Sequence, residues 1–266
     1  LKLETTMNKE LKKRYDWLCI NRLSLNISKT NFVIFSPPNK PKIPVTILIN
    51  KIAIKEEPYV KYLGILIDSK LTFKYHIEEL KKKISRSIGV LSKLKPYVST
   101  KLLTNVYYAI VYPFLLYGIL IWGNSSDNLL NSIHILQKRF VRMATDNIGS
   151  WTHTSPLFHK LNLLNVYDIY KLQLGILVYE SKNNIGPIRN IINFTNVNEI
   201  HQYNTRSAHR GDIFINNVRT TRYGLKSIQV RGAKFWTSLP THIREKPSKT
   251  SFKTTLKKFL IDSYEP

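Results

Sequence analysis

Few side chains in this sequence could do chemistry, and their spacing narrows what they could do. The acidic doublets are Glu56-Glu57 and Glu78-Glu79. Two-metal catalysis needs carboxylates converging from separate elements. The first doublet precedes Pro58 in a predicted turn, and the second has lysines at i,i+4, so neither makes a cage. His153 and His159 have no cysteine beside them and no HExxH spacing. Cys19 is the single cysteine, which excludes an internal disulfide and a multi-cysteine zinc site and fits a reducing compartment. No glycine-rich phosphate loop or GxSxG elbow occurs. What remains is fixed positive charge. At 100° per residue Lys82, Arg86 and Lys93 share one helix face, and Lys138, Arg139 and Arg142 lie on the polar side of another. Such stripes can track a phosphate backbone. The competing reading is a solvated face carrying Glu78–Lys82 and Glu79–Lys83 pairs.

The elements that would hold these groups follow from periodicity. Leu3, Met7, Leu11, Tyr15 and Leu18 predict an amphipathic helix over 3–20. Leu23–Ile27 and Asn31–Phe35 read as short strands around a turn, and Pro37, Pro38, Pro41 and Pro44 then break the chain. Residues 45–49 and 52–54 predict a hairpin turning at Asn50-Lys51, and Tyr62–Asp68 a further strand. From His76 the period is helical: Ile77, Leu80, Ile84, Ile88, Leu91 and Leu94 form one face of a helix that stops before Pro96. Leu129, Ile133, Leu136, Phe140 and Met143 predict another helix, residues 157–180 a third, and 183–212 a loop or linker. A last helix is predicted with Thr250 or Ser251 as its cap. Phe252, Leu256, Phe259 and Leu260 would face inward and Lys253, Lys257 and Lys258 outward.

Composition sets the class. The 266 residues suffice for one or two domains with a sizeable core, and a hydrophobic fraction of 43% argues against wholesale disorder. Lys and Arg number 41 against 17 Asp and Glu, a net charge of +24 that selects polyanionic partners, nucleic acid first. The excess is uneven. Residues 106–200 carry 7 basic and 5 acidic side chains, whereas 201–266 carry 13 and 4. Val106–Gly123 has no charge over eighteen residues, the length at which a membrane span must be weighed. Pro113 in its middle and four dispersed tyrosines favour a buried helix pair instead. The sequence starts at Leu1, has its first methionine at Met7 and shows no signal peptide, which reads as a fragment of an intracellular protein, cytoplasmic or nuclear.

Four short signatures, in order, resemble the downstream part of non-LTR (LINE-type, jockey-like) retrotransposon reverse transcriptases. The first is Trp17, Asn21, Leu23, Leu25, Asn26, Lys29, Thr30 and Phe35, similar to polymerase motif D. The second is Lys61-Tyr62-Leu63-Gly64, Ile67-Asp68, Leu71 and His76-Ile77, similar to motif E, the primer-grip hairpin leading into the thumb. The third is Leu136-Gln137-Lys138-Arg139 with Arg142, preceded by Tyr117-Gly118 and Trp122-Gly123. The fourth is Tyr203-Asn204-Thr205-Arg206, Gly224, Gly232, Trp236, Leu239-Pro240 and Phe252-Lys253.

The resemblance implies an α+β, mainly helical fold: a β-hairpin remnant of a polymerase palm over 1–75, thumb helices over 76–125, a helical connection over 126–182 and a basic C-terminal region over 183–266. The implied partners are an RNA template and a DNA primer, together with upstream palm and fingers. The family's Ala-Asp-Asp triplet, whose aspartates hold Mg2+, does not occur in these residues. No catalytic residue or cofactor is therefore expected in this segment, apart from Lys29 as a possible motif D general acid. Tyr62, Leu63 and Gly64 would form the primer grip. Lys82, Arg86 and Lys93, with Lys138, Arg139 and Arg142, would hold nucleic acid. Two alternatives stand beside this: a stand-alone basic nucleic-acid-binding module, and a single-pass membrane protein spanning 106–123.

Overall fold

The computed structural model describes residues 2–36, 44–146, 153–186, 192–200, 203, 205–215 and 217–264. They divide into two compact units, Leu1–His76 and Ile77–Pro266. Pro37, Pro38 and Pro41 lie outside the described residues.

The N-terminal unit opens with the predicted helix, α1 (Lys2–Ile20), yet none of its residues is buried. Of the predicted stripe, Leu3 and Met7 are exposed while Leu11, Tyr15 and Leu18 are half-buried, so it is only partly covered, and Trp17 and Ile20 outside it are 58% and 80% exposed. A polar residue also fastens the helix. Asn8 accepts from the N–H of Leu48 at 2.9 Å and donates to the carbonyl of Thr46 at 3.2 Å, standing in for a neighbouring strand. Leu23–Ile27 is not a strand: the Asn26 side chain accepts from the N–H of Lys29 and draws the chain into a 3-10 turn over Ile27–Lys29. A local side-chain bond has displaced a ladder. The short strands are β1 (Asn31–Phe32), β2 (Leu48–Ile49), β3 (Ile52–Ala53), β4 (Lys55–Glu56), β5 (Tyr59–Tyr62) and β6 (Ile65–Asp68). β1 pairs parallel with β4; β2–β3 and β5–β6 are antiparallel hairpins. The first hairpin turns at Asn50-Lys51, both in the left-handed region at φ 49° and 65°, as the sequence predicted. The expected single strand over Tyr62–Asp68 is instead a turn followed by β6, because Leu63-Gly64 reverses the chain.

The second unit is helical: α2 (Lys74–Leu94, whose first turn belongs to the N-terminal unit), α3 (Thr100–Ile110), α4 (Tyr112–Leu116), α5 (Ile119–Trp122), α6 (Asp127–Ala144), α7 (Ser155–Lys160), α8 (Val166–Lys182), α9 (Val197–Ile200), α10 (Arg206–His209), α11 (Ile228–Ser238), α12 (Thr241–Arg244) and α13 (Lys249–Asp262). α2 buries Ile77, Leu80, Ile84, Ile88 and Leu91 as its period predicted. The uncharged run 106–123 is broken twice, after Ile110 and at Gly118, whose φ of +62° suits a residue without a Cβ. Leu103, Tyr107, Val111, Leu115, Ile119 and Trp122 recur every three or four residues and are all buried. No helix among the described residues is long and apolar enough to cross a membrane. One face of the run is core, as the buried helix pair predicted, while Leu116, Tyr117 and Ile121 are exposed.

Three further boundaries differ from the sequence reading. Residues 157–180 form two helices, α7 and α8, separated by a turn with Asn162 at φ 53°. On α6 the buried residues are Leu130, Ile133, Gln137, Phe140, Val141 and Ala144, while Leu136 and Met143 are half-buried, so the inward face is rotated from the predicted one. α13 is capped by Ser248, whose hydroxyl accepts from the N–H of Ser251 at 3.2 Å. Its buried face is centred on Leu256 and Leu260, leaving Phe259 at the edge and 39% exposed.

α8 is the axis on which α11, α13, α4, α5 and α6 pack. Its N-terminus is held by two polar networks. Gln137, fully buried, accepts from the N–H of Val166 at 2.7 Å and donates to the Tyr107 hydroxyl at 3.0 Å and the Leu164 carbonyl at 3.2 Å. The Asn165 side chain accepts from the N–H of Asp168 at 3.0 Å and its amide donates to the Asp168 carboxylate at 2.8 Å; the Tyr264 hydroxyl donates to that carboxylate at 2.5 Å. Burial, together with the adjacent carboxylate, pushes the Tyr264 hydroxyl far up from its usual range. Replacing Gln137 by Ala strands the Val166 amide and the Tyr107 hydroxyl, so Gln137→Ala should cost about 2–4 kcal/mol of stability by urea denaturation. A loss below about 0.5 kcal/mol would show that the network contributes nothing.

Candidate nucleic-acid interface

The β5–β6 hairpin presents its tip to solvent. Tyr62 and Leu63 are 64% and 73% exposed, and Leu63 and Gly64 sit at φ 46° and 83°, a tight turn that Gly64 adopts without Cβ strain. The other end of the hairpin is clamped by Asp68, a structural role that no local pattern around it announces. Its carboxylate accepts from the N–H groups of Lys70, Thr72 and Phe73 at 2.6–3.1 Å and from the Thr72 hydroxyl at 3.0 Å. Three amides on one acceptor hold Leu71 and Phe73 at φ 51° and 59° and set the start of α2. Tyr59 and Tyr75 pack beside it with ring centres 4.6 Å apart. Lys29 is exposed at the end of its 3-10 turn, elsewhere in the same unit.

On the second unit, Lys82, Arg86 and Lys93 are exposed on the face of α2 opposite the buried stripe, and none makes an ion pair among the described residues. The neighbouring pair Glu79–Lys83 forms at 2.6 Å; Lys82 stays out of it. α2 is tied to α3 by the Ser87 hydroxyl, which donates to the Ile110 carbonyl at 3.2 Å. α3 in turn meets α6 through stacked Tyr107 and Phe140, 4.3 Å apart. On α6, Arg139 is exposed while Lys138 and Arg142 are half-buried, so this trio is a weaker stripe than the one on α2. Lys257, predicted to point outward, lies half-buried with its ammonium 5.6 Å from the Tyr108 ring centre. Among the described residues no three His, Cys, Asp or Glu side chains come together to hold a metal.

His134, on the same helix as Lys138, lies between Phe158 and Tyr167 with ring centres 5.7 and 5.5 Å away. Burial, aided by the charge of Lys138, pushes its pKa down to about 4 against weaker opposing pulls from Asp168 and Gln137. A folded-state value below the unfolded one means that the unfolded chain binds the extra proton. Stability is therefore complete above about pH 6.5 and erodes as pH falls toward 4. Between pH 7 and 5 the native protein should lose about 1–2 kcal/mol more than a His134→Gln variant, after discounting for partial exposure. Identical urea midpoints at both pH values would refute the assignment. The Asp68 clamp makes a separate forecast. Asp68→Ala should destabilise the β5–β6 hairpin by about 1–3 kcal/mol, read as faster amide exchange at the paired residues Val60 and Ile67 than in the native chain, whereas unchanged exchange would mean that the clamp is passive.

Comparison with known proteins bears on these features. The chain is 28% identical over 159 residues to the probable RNA-directed DNA polymerase from transposon X-element of Drosophila melanogaster, covering 58% of this chain and 17% of that protein. It is 32% identical over 147 residues to the probable RNA-directed DNA polymerase from transposon BS of the same species, covering 54% and 16%. Over 97 residues it is 33% identical to the RNA-directed DNA polymerase from mobile element jockey, covering 35% and 11%. The chain thus spans about a sixth or less of the length of these relatives. No family model matches it, and no solved structure does. Along about half its length the chain is a homologue of RNA-directed DNA polymerases of Drosophila non-LTR transposons, the kinship to which its four ordered signatures pointed.

Proposed function

We propose that residues 1–266 serve an RNA-directed DNA polymerase of a non-LTR transposon as the part that grips the template–primer duplex, without supplying the metal-binding aspartates. The observation that carries this reading is the stripe of Lys82, Arg86 and Lys93: three exposed cations on one face of a 21-residue helix, none neutralised by a neighbour. A rigid row of unpaired charge exchanges condensed counterions for phosphates, which gives affinity without base specificity. In this reading α2 is the thumb helix lying along the duplex. The exposed Tyr62-Leu63-Gly64 tip contacts the primer, with the ring of Tyr62 against a sugar and Gly64 allowing close backbone approach. Lys138, Arg139 and Arg142 add a second, weaker contact. Lys29, exposed on its turn, takes the place where the resemblance puts a general acid near departing pyrophosphate. An RNA–DNA hybrid is near A-form and would be held through phosphates and 2′-hydroxyls rather than read by sequence.

The experiment is a salt titration of binding to an RNA–DNA hybrid and to duplex DNA of the same sequence. Changing Lys82, Arg86 and Lys93 together to Ala should weaken hybrid binding about equally for all sequences. The slope of log K against log salt should shrink by up to about 0.9 per lost phosphate contact. An unchanged slope would make the stripe a solvated face. Equal affinity for hybrid and duplex DNA would favour a basic binding module with no polymerase role.

A further inference from the structure

The second unit contains an open cleft of about 590 Å3 between the loop preceding α6, the outer side of α8 and α11. That size lies within the roughly 300–1,000 Å3 of pockets that hold small ligands. Its charge is one-sided: Lys171, Lys226, Arg231 and Lys234 line it, against Asp127 alone. Two of the four cations are committed. Lys171 pairs with the buried Asp168 at 2.8 Å, and the Lys226 ammonium donates to the carbonyls of Asn124 at 3.1 Å and Ser125 at 3.3 Å, which braces the loop. Arg231 and Lys234 are not. They are exposed, lie three residues apart on α11, and make no ion pair among the described residues.

The walls supply two other kinds of group. Tyr167 and Phe235, both half-buried, give flat apolar surface. Tyr170 is 8% exposed, and its hydroxyl is a buried polar atom with no hydrogen-bond partner. A buried hydroxyl left unpaired costs stability, so its retention beside a cleft needs a reason. Arg231 is its charged neighbour. The cleft thus combines free cations for an anion, aromatic faces for a planar ring and a hydroxyl that lacks an acceptor. A phosphate alone uses the first of these, and an apolar ligand the second. A nucleotide uses all three.

We infer that this cleft binds a single nucleotide unit of a single-stranded nucleic acid, with its phosphate on Arg231 and Lys234 and its base against Tyr167 or Phe235. The Tyr170 hydroxyl donates to a ligand oxygen. The cleft would give the protein a second, strand-selective contact built from different residues than the duplex grip of α2, and it holds whether or not that grip does.

The test uses the whole 266-residue chain and a single strand of about ten nucleotides, each carrying 5-iododeoxyuridine for photo-crosslinking. Crosslinks should map to Tyr167 or Phe235. Arg231→Ala with Lys234→Ala, at exposed positions where folding is undisturbed, should lower single-strand affinity about tenfold and leave hybrid-duplex affinity within about twofold. Tyr170→Phe separates ligand binding from structure: it should weaken single-strand binding about threefold or more without lowering the unfolding midpoint. A deoxynucleoside 5′-monophosphate should compete, and inorganic phosphate at the same concentration should not. Crosslinks confined to other residues, an unchanged single-strand affinity in the double variant, or equal competition by inorganic phosphate would each overturn the inference. Loss of the α2 stripe should weaken hybrid binding alone, so failure of the duplex reading and failure of the cleft give different patterns.

Discussion

The second unit depends on how the first turn of α8 is satisfied. This helix is buried along most of its length, with Ile169, Leu172, Leu174, Val178 and Tyr179 all inside, so its leading amides cannot turn to water. Gln137 reaches across from α6 to take the Val166 amide, Asn165 and Asp168 cap one another, and Tyr264 arrives from the far end of the chain to hold Asp168. Three distant stretches of sequence therefore meet at one helix end. In a low-dielectric interior such bonds are strong when complete and costly when broken, which fixes the register of α6 and α8. The apolar residues around them could repack more freely than these polar atoms could.

The disposition of charge follows from the same economy. With 17 acids against 41 bases, internal pairing consumes acids first. Asp68, Asp168 and Asp212 are all buried: the first accepts backbone amides, the second caps α8, and the third is shared by Arg210 and Arg244, each at 3.2 Å. Asp168 and Asp212 each also pair with an outlying cation, Lys171 and Arg210, but none of the three carboxylates pairs with Lys82, Arg86, Lys93, Arg231 or Lys234. The solvent face of α2 and the cleft beside α11 are therefore more basic than the net charge suggests, and their unpaired cations have counterions as their main company. That is the electrostatic condition for binding a polyanion with a steep salt dependence.

The helical period placed α2 and its buried face correctly, and with it the exposure of Lys82, Arg86 and Lys93, because one side packed on apolar neighbours leaves the opposite side to water. Asn50-Lys51 likewise announced a hairpin, since two left-handed residues favour that turn. Other elements were hidden for identifiable reasons. The strand expected over Leu23–Ile27 lost to a side-chain bond from Asn26, and the strand through Tyr62 lost to the turn at Leu63-Gly64. The eighteen uncharged residues from Val106 were legible as a buried helix pair from Pro113 and the tyrosines, but the second break was not, because hydropathy does not register the left-handed turn at Gly118. The cleft was not legible at all: Tyr167, Tyr170, Arg231 and Lys234 are about sixty residues apart in two groups, and no local pattern links them.

By itself the sequence determined the charge, the helical periods, the lack of a multi-cysteine site and the kinship with transposon polymerases, because each is carried by composition or by residues close along the chain. Tertiary structure decided which charges remain free and which polar groups lie unpartnered. It also decided that the apolar stripe of α1 is only partly covered while that of α3 to α5 is core. Those outcomes depend on which helix faces meet, and burial is a property of the pair in contact rather than of either segment alone.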